Sequence, residues 1–128
     1  MDAYESQAKL LKVLANPARL QILDILREGE HCVCHLEAVL GLRQAYVSQQ
    51  LMLLREAGLV VDRKDGLRVY YRVCDPGVYG ILDVARSLVS RQAQKKGLSL
   101  RFTLPNKAKP LACSCPKCVG EVSLALAS

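Results

Sequence analysis

The spacing of apolar residues changes abruptly at Gly58, and this change limits the folds that are open to the chain. The preceding segment, residues 44–57, places three apolar side chains at helical spacing: Val47, Leu51 and Leu54. The following segment, "LVVDRKDGLRVYYRV", contains two strand-like runs separated by Asp65-Gly66, a pair typical of a β-hairpin turn. We therefore expect a mainly α fold with a small β-hairpin.

Further helices are predicted on both sides of this junction. Asn16 and Pro17 are a typical cap and first residue of a helix, and Gly41 is a typical stop. The predicted helices cover about 4–15, 17–28, 33–40, 44–57 and 76–93. The apolar face of the last helix is broader than a small bundle needs, so we expect it to form a dimer interface with the first helix.

Length and charge restrict the class of protein. The 128 residues are enough for one domain, and no apolar run reaches the roughly 20 residues that span a bilayer. The start of the chain, "MDAYESQAKL", does not resemble a secretory signal, so we expect a cytoplasmic protein with reduced thiols and no membrane partner. Residues 1–42 carry 4 basic and 6 acidic groups, whereas the remainder is basic and gives the chain its net charge of +6. This distribution favours a polyanionic partner, although a solvated basic surface would look the same.

The order helix, tight turn, helix and hairpin is that of a winged helix-turn-helix, which binds double-stranded DNA. Glutamine can pair with adenine, serine can contact bases or phosphates, and hairpin cations suit phosphates. The predicted DNA contacts are Arg43, Gln44, Tyr46, Ser48, Gln49 and Gln50 on the fourth helix, and Arg63, Lys64 and Arg68 on the hairpin. An ordinary helical hairpin with a polar solvent face is the alternative.

Five of the six cysteines fall into two groups, which are Cys32/Cys34 and Cys113/Cys115/Cys118. Thiolates suit soft ions, so all five are candidate metal ligands. On a helix, residues two apart point about 200° away from each other, whereas in an extended segment they share a face. We therefore expect the first pair at a loose helix entrance.

The second group lies in a tail, residues 94–128, that follows a predicted domain of residues 1–93. About 20 residues separate Ala93 from Cys113 and reach up to roughly 66 Å when extended. Cys74 is expected to be a small buried residue. His31 and His35 are expected at the surface or as helix caps.

Residues 8–73 resemble the ArsR/SmtB family of metal-responsive winged-helix transcriptional repressors. The resemblance rests on "LANPARLQIL", "CVCHL", "VSQQLMLLREAGLV" and the hairpin end "VYYRV". It implies a homodimer that binds a two-fold operator and releases it when metal binds. Two departures are Gln50, where the family usually has histidine, and His35, where aspartate often follows the cysteine pair; Gln50 is expected to affect operator preference.

The resemblance also bears on the inducer. Family sensors of arsenite, cadmium and lead use the cysteine pair on this helix, while the family's zinc ligands on the last helix are absent from residues 76–93. The third cysteine of one arsenite type and the N-terminal cysteines of one cadmium type are also absent. The tail cysteines are therefore expected to complete the site.

Three functions remain from the sequence. The first is a repressor of a resistance operon, released by As(III)/Sb(III) or Cd(II)/Pb(II), with no organic cofactor and no enzymatic activity. The second is a redox- or sulfur-responsive repressor on the same fold. The third is an oxidoreductase using "CPKC" at 115–118, which the lack of a βαβ pattern makes the weakest.

Overall fold

A computed structural model describes residues 2–105 of the chain. Five helices occur in this part: α1 (Ala3–Leu14), α2 (Pro17–Leu26), α3 (Val33–Leu40), α4 (Gln44–Glu56) and α5 (Val78–Lys95). The strands are β1 (His31–Cys32), β2 (Val60–Asp65) and β3 (Arg68–Val73). The sheet is antiparallel with the order β1-β3-β2, so the predicted winged helix-turn-helix is confirmed.

The helix boundaries follow local chemistry. The Asn16 side chain accepts a hydrogen bond from the backbone N–H of Arg19, and Pro17 occupies the first turn of α2, as predicted. Gly41 ends α3 in the left-handed conformation with φ 65°, which glycine adopts without strain. The tight turn at Gly41 brings α3 and α4 together as a helix-turn-helix.

The core lies between α2, α3, α4 and the sheet. The predicted inner face of α4 is confirmed, because Val47, Leu51 and Leu54 have no exposed surface. The fully buried partners of these side chains come from α2, α3 and β2: Ile22, Leu23, Leu36 and Val60. This packing fixes which side of α4 faces outward.

Strand β1 was not predicted. Its two residues pair with β3, with His31 opposite Tyr71 and Cys32 opposite Tyr70. The hairpin turn also lies one residue later than predicted, since Asp65 pairs with Arg68 and the loop is Gly66-Leu67. A φ of 63° at Gly66 explains the requirement for glycine in this loop.

Helix α5 extends past the boundary predicted at residue 93, and the chain after it folds back. Leu104 packs against the core, and the Arg86 guanidinium lies 4.3 Å from the centre of the Phe102 ring. The Tyr79 hydroxyl donates a 2.7 Å hydrogen bond to the Leu23 carbonyl, and burial raises the pKa of Tyr79 to about 12. These contacts hold α5 and the following segment against α2.

Helices α1 and α5 leave apolar side chains exposed on the single chain. Leu11 of α1 is 46% exposed, and Val84 of α5 is 69% exposed. The other exposed apolar residues of α5 are Ile81, Leu88 and Val89. Of the helices in residues 2–105, none has the length and apolar character needed to cross a membrane.

Gln50 corrects one predicted DNA contact. Its side chain is 5% exposed and points into the protein, where Oε1 accepts a 2.7 Å hydrogen bond from Nη1 of Arg19. The Arg19 Nε also donates to the Val13 carbonyl at the end of α1. Gln50 lies one residue before Leu51, at the edge of the buried face of α4, so it joins helices instead of facing solvent.

We predict that Gln50→Ala lowers the free energy of unfolding by about 1–3 kcal/mol, because the half-buried Arg19 guanidinium loses an acceptor. Urea unfolding at fixed protein concentration measures this change. The control is Gln49→Ala, since Gln49 is exposed and its truncation should change stability by less than about 0.5 kcal/mol. Equal stability of the two variants would contradict the structural role of Gln50.

Candidate DNA interface and cysteine pair

The outer face of α4 is polar and exposed at its N-terminal end. Because Val47, Leu51 and Leu54 fix the inner face, the residues just before Val47 and the two just after it project outward, whereas Gln50 does not. The exposed side chains are Arg43, Gln44, Tyr46, Ser48 and Gln49, which are five of the six predicted contacts on this helix. Arg43 is the N-cap residue but makes no side-chain capping bond. This end of α4 has the side chains and the exposure of a groove-reading helix.

The three predicted cations of the hairpin have different surroundings. Lys64 is exposed. Arg63 donates two hydrogen bonds to the Glu30 carboxylate, at 3.2 and 2.6 Å, and its guanidinium lies 4.7 Å from the Tyr70 ring centre. The hydrogen bond to Glu30 raises the pKa of Arg63 above its ordinary value. Sequence reasoning missed this pairing because Glu30 and Arg63 are distant in sequence.

Arg68 lies between the hairpin and the cysteine pair. It is the first residue of β3, and its side chain is half-buried with Nη1 3.9 Å from Cys34 Sγ. The neighbouring surface encloses a cavity of about 220 Å³. Its lining includes Cys32, Cys34, Gln44, Ser48 and Arg68. The structure therefore brings predicted DNA contacts and predicted ion ligands to one cavity.

The cysteine pair occupies the entrance of α3, as the spacing predicted. Cys32 is extended, with φ −78° and ψ 158°, and it is the N-cap residue whose Sγ accepts a 3.3 Å hydrogen bond from the His35 N–H. Cys34 lies in the first turn of the helix. The two sulfurs are joined in a disulfide with the Cα atoms 5.3 Å apart. The described state is therefore oxidised, whereas the sequence led us to expect thiols.

Two histidines flank this pair, and their predicted surface location is wrong. His31 and His35 are 5% and 8% exposed. Their rings are stacked, with centres 4.2 Å apart and planes 11° from parallel. Strand β1 positions His31 and the first turn of α3 positions His35, so the two rings meet. No periodicity in "EHCVCHL" indicated that arrangement.

The described residues offer part of a site for the proposed ions. Reduced Cys32 and Cys34 would offer two soft ligands at one point, which suits a thiophilic ion. Within residues 2–105 there is no group of three or more His, Cys, Asp or Glu side chains that could hold a metal. The pair therefore fits as part of a site, and a complete site needs a further ligand.

Of the four remaining cysteines, one lies within residues 2–105. Cys74, expected to be buried, is exposed, and it lies just after β3, which ends at Val73. The predicted ligands Cys113, Cys115 and Cys118 lie outside the described residues.

Comparisons with known proteins agree with this architecture. Residues 16–61 match the family described as "Bacterial regulatory protein, arsR family". The arsenic resistance transcriptional regulator of Pseudomonas putida is 36% identical over 113 residues, which cover 82% of this chain and 85% of that protein. The arsenical resistance operon repressor of Escherichia coli is 48% identical over 66 residues, 51% of this chain and 56% of that protein.

A solved structure extends the comparison to three dimensions. It is the homodimeric winged helix-turn-helix DNA-binding domain of a possible ArsR-family transcriptional regulator from Mycobacterium bovis. This structure is 34% identical, matches with a TM-score of 0.60, and covers 67% of this chain and 80% of that chain. The protein belongs to the ArsR/SmtB family of winged helix-turn-helix transcriptional regulators.

Proposed function

We propose that the protein is a homodimeric repressor of a metal or metalloid resistance operon, released from its operator by a thiophilic ion bound to cysteine thiolates. The observation that carries the proposal is the position of Cys32 and Cys34, which share a cavity with Gln44, Ser48 and Arg68. A change at the sulfurs therefore occurs beside the groups that we propose for DNA.

Operator binding is supported by the exposed polar end of α4 and by the hairpin. Gln44, Ser48 and Gln49 present amide and hydroxyl groups suited to base edges, while Arg43, Lys64 and Arg68 suit phosphates. Arg63 can join them only in part, because Glu30 already neutralises it. The exposed apolar face of α1 and α5 supports a homodimer, as in the homodimeric neighbour from Mycobacterium bovis.

We propose arsenite or antimonite as the first candidate inducer, with cadmium or lead as the next. Two relatives named for arsenic resistance support this order. Trivalent arsenic is satisfied by three thiolates, of which Cys32 and Cys34 would supply two. We propose that one of Cys113, Cys115 and Cys118 supplies the third.

Cys32 also has a structural task, seen in the described disulfide state, that ion binding would disturb. Cys32 Sγ caps α3 by accepting from the His35 N–H. A sulfur that binds an ion has less electron density for this bond, and loss of an N-cap typically costs about 0.5–2 kcal/mol. Because α3 packs against α4, a loosened first turn of α3 can change how α4 is presented.

A second candidate function has its own observation. The disulfide between Cys32 and Cys34 favours a repressor that senses oxidants or sulfane sulfur. The two candidates separate in one experiment, in which reduced protein on operator is treated anaerobically with arsenite, or with diamide in the absence of metal. Release by arsenite alone supports the first candidate, and release by diamide alone supports the second.

We predict that Gln49→Ala relaxes sequence preference, because an exposed amide that can pair with adenine is lost; each good base contact contributes about 1–3 kcal/mol of discrimination. Lys64→Gln should instead weaken binding to all sequences and reduce the salt slope by about 1. Fluorescence anisotropy with operator and scrambled duplexes across a salt series measures both. Equal binding of the wild type to the two duplexes at physiological salt would rule out a sequence-specific repressor.

We predict that Cys32→Ser and Cys34→Ser bind operator with wild-type affinity but resist release by arsenite, because each retains only one soft ligand of the pair. Serine can still cap α3 at position 32, so stability should be retained. Cys74→Ser is the matched control and should be released normally. Release of either pair variant at the wild-type arsenite concentration would exclude the pair as the sensor.

We predict that truncation after Pro110 leaves operator affinity nearly unchanged, because the proposed DNA contacts on α4 and the hairpin all lie within residues 43–68. Arsenite affinity should fall, since the proposed third thiolate is removed. The release factor, which is the fold loss of operator affinity when arsenite binds, should fall as well. Charge-transfer absorption during arsenite titration and anisotropy measure the two quantities. Unchanged values would show that the tail does not contribute, and a triple serine variant at Cys113, Cys115 and Cys118 separates thiol loss from shortening.

A further inference from the structure

Arg68 differs from the other hairpin cations in what its side chain touches. Lys64 is exposed and Arg63 is paired with Glu30, whereas Arg68 is half-buried with its guanidinium directed at Cys34 Sγ, 3.9 Å away. The strand register explains this direction, because Arg68 follows the Gly66-Leu67 loop on the strand that also pairs with β1. One side chain thus connects the hairpin to the sulfur pair.

The cavity beside Arg68 opens between the parts of the protein that we propose for DNA. Gln44 and Ser48 of α4 line one side, and Leu67 and Arg68 of the hairpin line another. Glu37 is an acidic group in the same lining. A DNA duplex placed against α4 and the hairpin would therefore cover the approach to the two cysteines.

We propose that Arg68 is a positioning residue that couples the state of the cysteine pair to the operator contact of the hairpin. Arg68 Nη1 lies 3.9 Å from Cys34 Sγ beside an uncharged disulfide, so its described position does not depend on charge at the sulfurs. An ion ligated by the pair would occupy the space beside the sulfurs, displace the guanidinium and move its charge relative to the phosphate backbone. This inference rests on the proposed function and identifies the route by which that site acts.

The coupling must work in both directions. If ion ligation weakens the operator complex through Arg68, bound operator weakens ion ligation by the same factor. The cavity geometry adds a second effect that needs no ion. Operator should slow reaction of the reduced cysteines with a small alkylating reagent, because the duplex covers their access.

The test uses the full reduced chain, operator duplex and arsenite, with Arg68→Gln, Arg68→Lys and the matched control Lys64→Gln. Both glutamine variants should bind operator more weakly, since each loses one cation. Wild type and Lys64→Gln should keep a release factor within the roughly 5- to 150-fold range typical of coupled sites. For Arg68→Gln the factor should fall toward unity, while Arg68→Lys keeps the charge and recovers part of it.

A purely structural role for Arg68 would lower stability and operator affinity but leave the release factor unchanged. Circular dichroism and thermal unfolding identify a variant that fails to fold, in which case Arg68→Lys carries the comparison. Release of folded Arg68→Gln by the wild-type factor overturns the proposal.

Alkylation by iodoacetamide supplies the readout without metal. At saturating operator, the half-buried Cys34 of the wild type should react more slowly than in free protein, while exposed Cys74 serves as the internal reference. Equal alkylation rates with and without operator would overturn the claim that the operator and the cysteine pair share a surface. If neither arsenite nor diamide releases the wild type, the proposed function fails and the coupling with it, whereas alkylation still decides whether operator covers the pair.

Discussion

The junction at Cys32 holds the cysteine pair and the proposed DNA-binding elements in one arrangement. Its backbone pairs with Tyr70 in the sheet, its side chain caps α3, and its sulfur is bonded to Cys34. The side chain is 1% exposed, so none of these contacts can change without disturbing packing. Strand β1 leads directly into α3, and it pairs with β3, which is also a strand of the hairpin. The entrance of α3 is therefore joined to the hairpin through one sheet.

A second connection lies on the opposite side of α4. Arg19 is held by the Asn16 cap, the Val13 carbonyl and the Gln50 side chain, and it thereby joins the end of α1, the start of α2 and the middle of α4. Helix α1 carries part of the exposed apolar face that we assign to the dimer. The apolar face that we propose for the dimer and the orientation of α4 are therefore linked through a hydrogen-bonded arginine as well as through the apolar core.

The sequence predicted those features that depend on neighbouring residues. The inner face of α4, the cap at Asn16 and the stop at Gly41 follow from local spacing and local backbone chemistry, and the structure confirms them. The pairing of the strand residues His31 and Cys32 with β3 depends on a partner far along the chain, and two residues are too few to show a period.

The same reason explains the errors within the site. Gln50 and Gln49 are identical and adjacent, but position 50 falls at the edge of the buried face of α4, and the distant Arg19 supplies its polar partner there. Likewise, the histidine stack and the approach of Arg68 to Cys34 require the sheet register to be known first. Local sequence spacing therefore identified candidate groups on α4 and the hairpin better than it identified their partners.

The return of the chain onto the core at Leu104 changes how the C-terminal segment can act. With that anchor, the tether to Cys113 is counted from Pro105 instead of from the end of the domain predicted at residue 93. Its greatest reach falls from roughly 66 Å to roughly 26 Å at full extension. A short tether raises the effective concentration of its thiols, to the millimolar range for flexible linkers, but excludes any target beyond its length. The anchor thus limits the partners open to Cys113 by their distance from Pro105.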